Sequence, residues 1–188
     1  MLLYKELPFT HIPEITSQLL LLAQELNPNK SCACKFEINL LKERIPLLHQ
    51  QLMDMGLVVS NFREFVAEPY GGLGIHRDGT EKYNKICALN WPIENTAGTQ
   101  MVWWQLNEGA IPAQGKDDPS YENDPRYDSG NTIYFYDEKD AVEIGAVEII
   151  KPLLVSVQDY HSIRNYQQKY RRMISIRFEN EPVHLLTE

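Results

Sequence analysis

His76 and Asp78 stand two residues apart in the run Gly71-Gly72-Leu73-Gly74-Ile75-His76-Arg77-Asp78-Gly79. Alternate side chains of an extended strand share a face, so this imidazole and this carboxylate can reach one metal ion. His161 follows 85 residues later, just after an apolar run at 153–158, and can complete a set of two histidines and one carboxylate. Three such ligands on one side of a divalent ion leave open positions for a co-substrate and dioxygen, as in non-haem Fe(II) sites. A single His-x-Asp carries little weight alone in a chain with five histidines, so the later residues matter.

Ten residues beyond His161 begins the run Arg171-Arg172-Met173-Ile174-Ser175-Ile176-Arg177-Phe178. Arg171 and Ser175 share a strand face, and a guanidinium beside a hydroxyl can hold a distal carboxylate. Arg171 and Arg172 point to opposite faces, so only one can line such a site, and the spacing leaves that choice open. From 161 to 177 the chain carries Arg164, Lys169, Arg171, Arg172 and Arg177 with no acidic residue. An acidic chain has gathered positive charge beside the candidate ligands.

Other constellations are weaker. His11, His49 and His184 lack partners at ligand spacing, and Asp159 offers a swapped Asp-x-His pair with His161. His76-Arg77-Asp78 mimics a protein-kinase catalytic loop, but Tyr83 stands where that loop needs Asn, and no Asp-Phe-Gly follows. Gly71-Gly72-x-Gly74 lacks a following Lys-Ser/Thr and reads as a turn. Trp91, Trp103 and Trp104 can wall a pocket, although strand tryptophans are more often core residues.

These side chains need a frame. Ile12, Ile15, Leu19, Leu22, Ala23 and Leu26 recur at helical spacing behind Pro13, and Asn27-Pro28-Asn29 ends the pattern. A second helical pattern runs from about 40 to 55, where Pro46 either kinks it or marks its start. Residues 32–38 between them alternate like a strand. After Gly56, β-type runs at 57–67, 73–77, 85–92, 100–106, 132–136, 142–150, 153–158 and 171–178 are separated by Gly, Pro and polar turns. The pattern predicts one mainly β domain over 1–188, with a helical part at 1–56 packed on one outer face of a jelly-roll core at 57–179. The stretch 107–130, with Asp117, Asp118, Glu122, Asp124 and Asp128, reads either as a solvated acidic excursion or as a lid carrying Tyr121 and Tyr127.

The 188 residues carry 18 Lys+Arg against 26 Asp+Glu, a net charge of −8, which argues against a nucleic-acid or anionic-membrane binder. Cys32, Cys34 and Cys87 do not form a disulfide framework and read as buried thiols. No signal-peptide pattern opens the chain, and the longest aliphatic run, at 19–23, is far short of a membrane span, so the expectation is a cytoplasmic protein. An exposed edge strand would allow pairing into a homodimer.

His76-x-Asp78, then His161, then Arg171, in that order over 57–178, resembles the iron(II)/2-oxoglutarate-dependent oxygenase superfamily. Within it, the glycine-rich lead and Cys87-Ala88-Leu89-Asn90-Trp91-Pro92-Ile93 look like small bacterial and phage-type members. The resemblance implies a double-stranded β-helix and Fe(II) held by His76, Asp78 and His161. It implies 2-oxoglutarate bound through Arg171, with Ser175 or Tyr70 assisting and Asn90 in contact. The implied reaction couples oxidative decarboxylation of the keto acid to hydroxylation of a small molecule, amino acid or peptide by dioxygen. Met173, two before Ser175, breaks the family's usual Arg-x-Ser pattern. The competing reading is a cupin-type jelly roll that binds a metal or small ligand without turnover, a role that gives Arg171 no work.

Overall fold

The computed structural model of the chain describes residues 1–78, 86–112, 114–117 and 132–187. Three helices precede most of the β structure: α1 (Ile12–Leu26), α2 (Asn39–Arg44) and α3 (Pro46–Asp54). Pro13 lies in the first turn of α1, where a missing N–H costs nothing. The expected second helix is two, because Pro46 opens α3 and forces Ile45 before it out of the helical region (φ −136°, ψ 55°).

Twelve strands are described, all paired antiparallel: β1 (Tyr4–Glu6), β2 (Ala33–Phe36), β3 (Val59–Ala67), β4 (Gly72–His76), β5 (Cys87–Glu94), β6 (Thr99–Leu106), β7 (Gln114–Asp117), β8 (Thr132–Phe135), β9 (Ala141–Glu148), β10 (Leu153–Ser156), β11 (His161–Asn165) and β12 (Arg171–Phe178). One sheet has the order β1-β10-β5-β12-β3-β2, the other β4-β11-β6-β9, and β7 pairs with β8 alone. From β3 onward the chain crosses back and forth between the two large sheets, so that β10-β5-β12-β3 faces β4-β11-β6-β9. That order is a double-stranded β-helix, and the mainly β jelly-roll expectation holds on the chain's own strand order.

Three strands escaped the sequence reading. β1 is three residues long. β11, His-Ser-Ile-Arg-Asn, has one apolar residue and is held by pairing to β4 on one side and β6 on the other. β7 lies inside 107–130, where the composition predicts no regular element; Asp118, Tyr121, Glu122, Asp124, Tyr127 and Asp128 fall outside the described residues.

Alternation along β12 sorts the interior. Ile174, Ile176 and Phe178 join Phe62, Leu89 and Trp91 against Ile15, Leu19 and Leu22 of α1 and Leu48 and Leu52 of α3. The helices thus cover the outer face of the six-stranded sheet, each buried Leu or Ile contributing roughly 1.5–3 kcal/mol. Met173 points the other way, into a core between the sheets with Ala88, Met101, Trp103, Leu153 and Val155. Arg171, Ser175 and Arg177 share the parity of Met173 and therefore the inner face.

Arg172 is buried on the helix side, where its Nε donates to Glu64 Oε1. Asn27 Nδ2 donates to the other carboxylate oxygen of Glu64 at 2.8 Å, which ties the end of α1 to β3. A Cβ on Gly72 would collide with the carbonyl oxygen of Ile163, so glycine lets β4 and β11 close up where they pair. No described helix is long and apolar enough to cross a membrane.

Candidate metal centre

β4 ends at His76, and β11 begins at His161 directly opposite it in register. The two ring centroids are 4.4 Å apart. Asp78, two residues past His76, returns to the same side because its backbone N–H donates to the Val157 carbonyl at 2.9 Å. Its Oδ1 lies 3.4 Å from His76 Nε2. One ligand atom from each of His76, Asp78 and His161 falls within 4.8 Å of the others, and among the described residues no second such group occurs.

Backbone carbonyls fix the orientation of both imidazoles. His76 Nδ1 is 2.8 Å from the Gly74 carbonyl and His161 Nδ1 is 2.9 Å from the Asp159 carbonyl. A carbonyl only accepts, so each Nδ1 carries a proton and each Nε2 is the ring nitrogen left for the centre. His76 and His161 are 3% and 4% exposed. Burial, with His76 alongside, lowers His161 to about 4 despite the pull of Asp78, so the ring is neutral at physiological pH. Burial alone would raise the Asp78 carboxyl. The Arg177 guanidinium and the two imidazoles outweigh it and hold the group well below the usual carboxylate range.

Asp159 makes contact with His161 through its backbone. Its carbonyl accepts from His161 Nδ1 and its Oδ2 accepts from Ser156 Oγ at 2.7 Å, and the group within ligand reach holds Asp78, not Asp159.

Arg171 opens β12 opposite Ala67 of β3. It is 4% exposed, its Nε has no hydrogen-bond partner, and no carboxylate among the described residues pairs with it. Burial pushes its pKa down to about 10. Ser175 Oγ, four residues along the same face, is likewise buried without a partner. Asn90 of β5 is the direct register partner of Ser175 and is also buried. Tyr70, unlike these three, is exposed (65%), in the turn between β3 and β4 with left-handed backbone (φ 54°).

The tryptophans divide. Trp91 faces the helices, edge-on to Phe9 and donating to Thr16 Oγ1 at 2.8 Å. Trp104 lies on the outer side of the four-stranded sheet under Arg164, donating to Ser162 Oγ at 2.8 Å. Only Trp103, the register partner of His161, shares the inner face with the centre.

Two further residues border the candidate centre. Phe135, at the end of β8, places its ring 5.5 Å from that of His76. Arg177 donates through Nη2 to Asp78 Oδ2 and through Nη1 to the Cys87 carbonyl at 3.2 Å. Its signal was its parity with Arg171 and Ser175 on one strand.

No family model and no curated protein matches the chain. Among solved structures it is similar to a prolyl-4-hydroxylase from Pseudomonas putida (8% identity, TM-score 0.46, covering 95% of this chain and 88% of that one). It is also similar to a Trichoplax adhaerens prolyl hydroxylase in complex with a hypoxia inducible factor peptide fragment (13%, 0.48, 94% and 81%). A third is the viral collagen prolyl hydroxylase of Paramecium bursaria Chlorella virus-1 in its 2OG complex (8%, 0.44, 93% and 94%). At such identities and TM-scores, the fold rests on the chain's own strand order and the candidate centre on its own geometry. By those two criteria the chain is a double-stranded β-helix with a His-Asp-His group between its two sheets.

Proposed function

We propose that the chain is a non-haem Fe(II)- and 2-oxoglutarate-dependent oxygenase acting on a small molecule, amino acid or peptide. His76, Asp78 and His161 are its metal ligands, and Arg171, Ser175 and Asn90 hold the cosubstrate. The observation that carries the reading is the buried, unpartnered Arg171 with Ser175 on the inner face of the six-stranded sheet, across from the sheet that carries both imidazoles. A guanidinium held out of water without a counter-charge costs several kcal/mol, and a carboxylate arriving there recovers it. A site that only holds a metal has no use for that cost, which favours this reading over the binding-only jelly roll.

The donor set suits the ion. Two imidazoles and one carboxylate on one side leave further coordination positions open. When bound, the iron and keto acid supply the activation of dioxygen needed to oxidise a C–H bond. The chain's own residues orient and exclude. The Gly74 and Asp159 carbonyls fix the two imidazoles, Arg171 and Ser175 receive the remote carboxylate, and Met173 with Trp103 keeps the space between the sheets apolar.

Anaerobic titration of the protein with Fe(II) and 2-oxoglutarate tests this. The expected result is a visible metal-to-ligand charge-transfer band that disappears in Arg171→Ala. A wild-type protein that binds Fe(II) but gives no band with the keto acid would overturn the cosubstrate assignment.

A further inference from the structure

Arg177 touches the candidate centre without being able to ligate it. The Asp78 carboxylate is divided: Oδ1 faces His76 Nε2, whereas Oδ2 is taken by Arg177 Nη2. The other end of the guanidinium fork, Nη1, is held by the Cys87 carbonyl at 3.2 Å. Cys87 opens β5, Arg177 lies near the end of β12, and these neighbouring strands are paired along their length. The fork therefore refers the carboxylate to the six-stranded sheet, while both imidazoles belong to the four-stranded sheet. Arg177 is only 7% exposed, so it has little water to turn to instead.

From this geometry we infer that Arg177 is a positioning residue, holding Asp78 so that a single carboxylate oxygen serves the metal. The inference rests on the metal reading above. A planar fork can grip the carboxylate and a backbone carbonyl at once. Lysine keeps the charge but lacks two nitrogens in one plane, so Arg177→Lys also loosens the carboxylate. Without the fork, Oδ2 is free to swing onto the ion, and the number of oxygen donors changes. Loss of such a supporting partner typically weakens metal binding about 10- to 100-fold.

The test titrates the wild-type protein, Arg177→Met and Arg177→Lys with Co(II) alone, following its visible ligand-field bands, with thermal unfolding as the check on folding. The expected result is affinity about 10- to 100-fold weaker in Arg177→Met and an altered band shape, since one more oxygen donor changes the coordination. Arg177→Lys should fall between that variant and wild type in affinity, with the altered band. Wild-type affinity with wild-type bands in either folded variant would overturn the inference while leaving the metal reading standing. If Arg177→Met does not fold, Arg177→Lys decides by the same criterion. A wild-type protein that takes no Co(II) removes the metal reading itself, and this inference with it.

Discussion

His76 and His161 are register partners on β4 and β11, so one backbone pairing brings together two imidazoles separated by 85 residues of chain. Each ring is locked by a carbonyl two residues before it, Gly74 for one and Asp159 for the other. The local device is thus the same on both strands, and it fixes the same tautomer twice.

Burial of His161 makes stability depend on pH. With a folded value near 4 against an ordinary 6.5, the unfolded chain binds a proton that the folded one refuses between those values. Stability therefore rises with pH from about 4 to 6.5 and is flat above, a gain on the order of 3 kcal/mol from this residue. Urea unfolding of the metal-free protein at half-unit pH steps should show the slope, and His161→Gln should flatten it.

Arg171 should trade stability for binding. Arg171→Met replaces a buried unpaired cation with an apolar chain of similar length, which is expected to stabilise the metal-free protein by about 1–4 kcal/mol. The same variant should lose measurable affinity for 2-oxoglutarate while still taking up metal. Denaturant midpoints and calorimetric titration, run side by side, check both halves.

On the opposite face of β12, Glu64→Gln should destabilise without touching the centre. It leaves Arg172 buried without its counter-charge, a loss of about 3–5 kcal/mol. Replacing both partners, Glu64→Leu with Arg172→Leu, should cost much less, and metal affinity should be unchanged in each variant. Chemical denaturation together with metal titration separates the two effects.

What could be read from the residues follows their physics. β5 and β12 are legible because alternation over eight residues puts Leu89, Trp91, Ile174 and Ile176 on one side. β11 is not, since its five mostly polar residues are extended only because two neighbours pair with it. The donor types of the triad were visible in spacing, and the choice between Arg171 and Arg172 waited on Glu64, whose buried carboxylate claims Arg172 for the helix side. The Arg177–Asp78 contact joins residues 99 apart, and closure of the barrel, not periodicity, brings them together. Tyr70, expected to assist at the cosubstrate, is exposed in a turn with left-handed backbone.

Consecutive arginines with opposite destinations also discipline the way β12 docks. A slip of one residue would take Ile174 and Ile176 away from the helices, leave Glu64 without Arg172, and carry Arg171 and Arg177 in among the leucines of α1. Each error compounds the others, so the misaligned strand gains almost nothing to linger on. The strand that equips the centre proofreads its own alignment as the barrel closes.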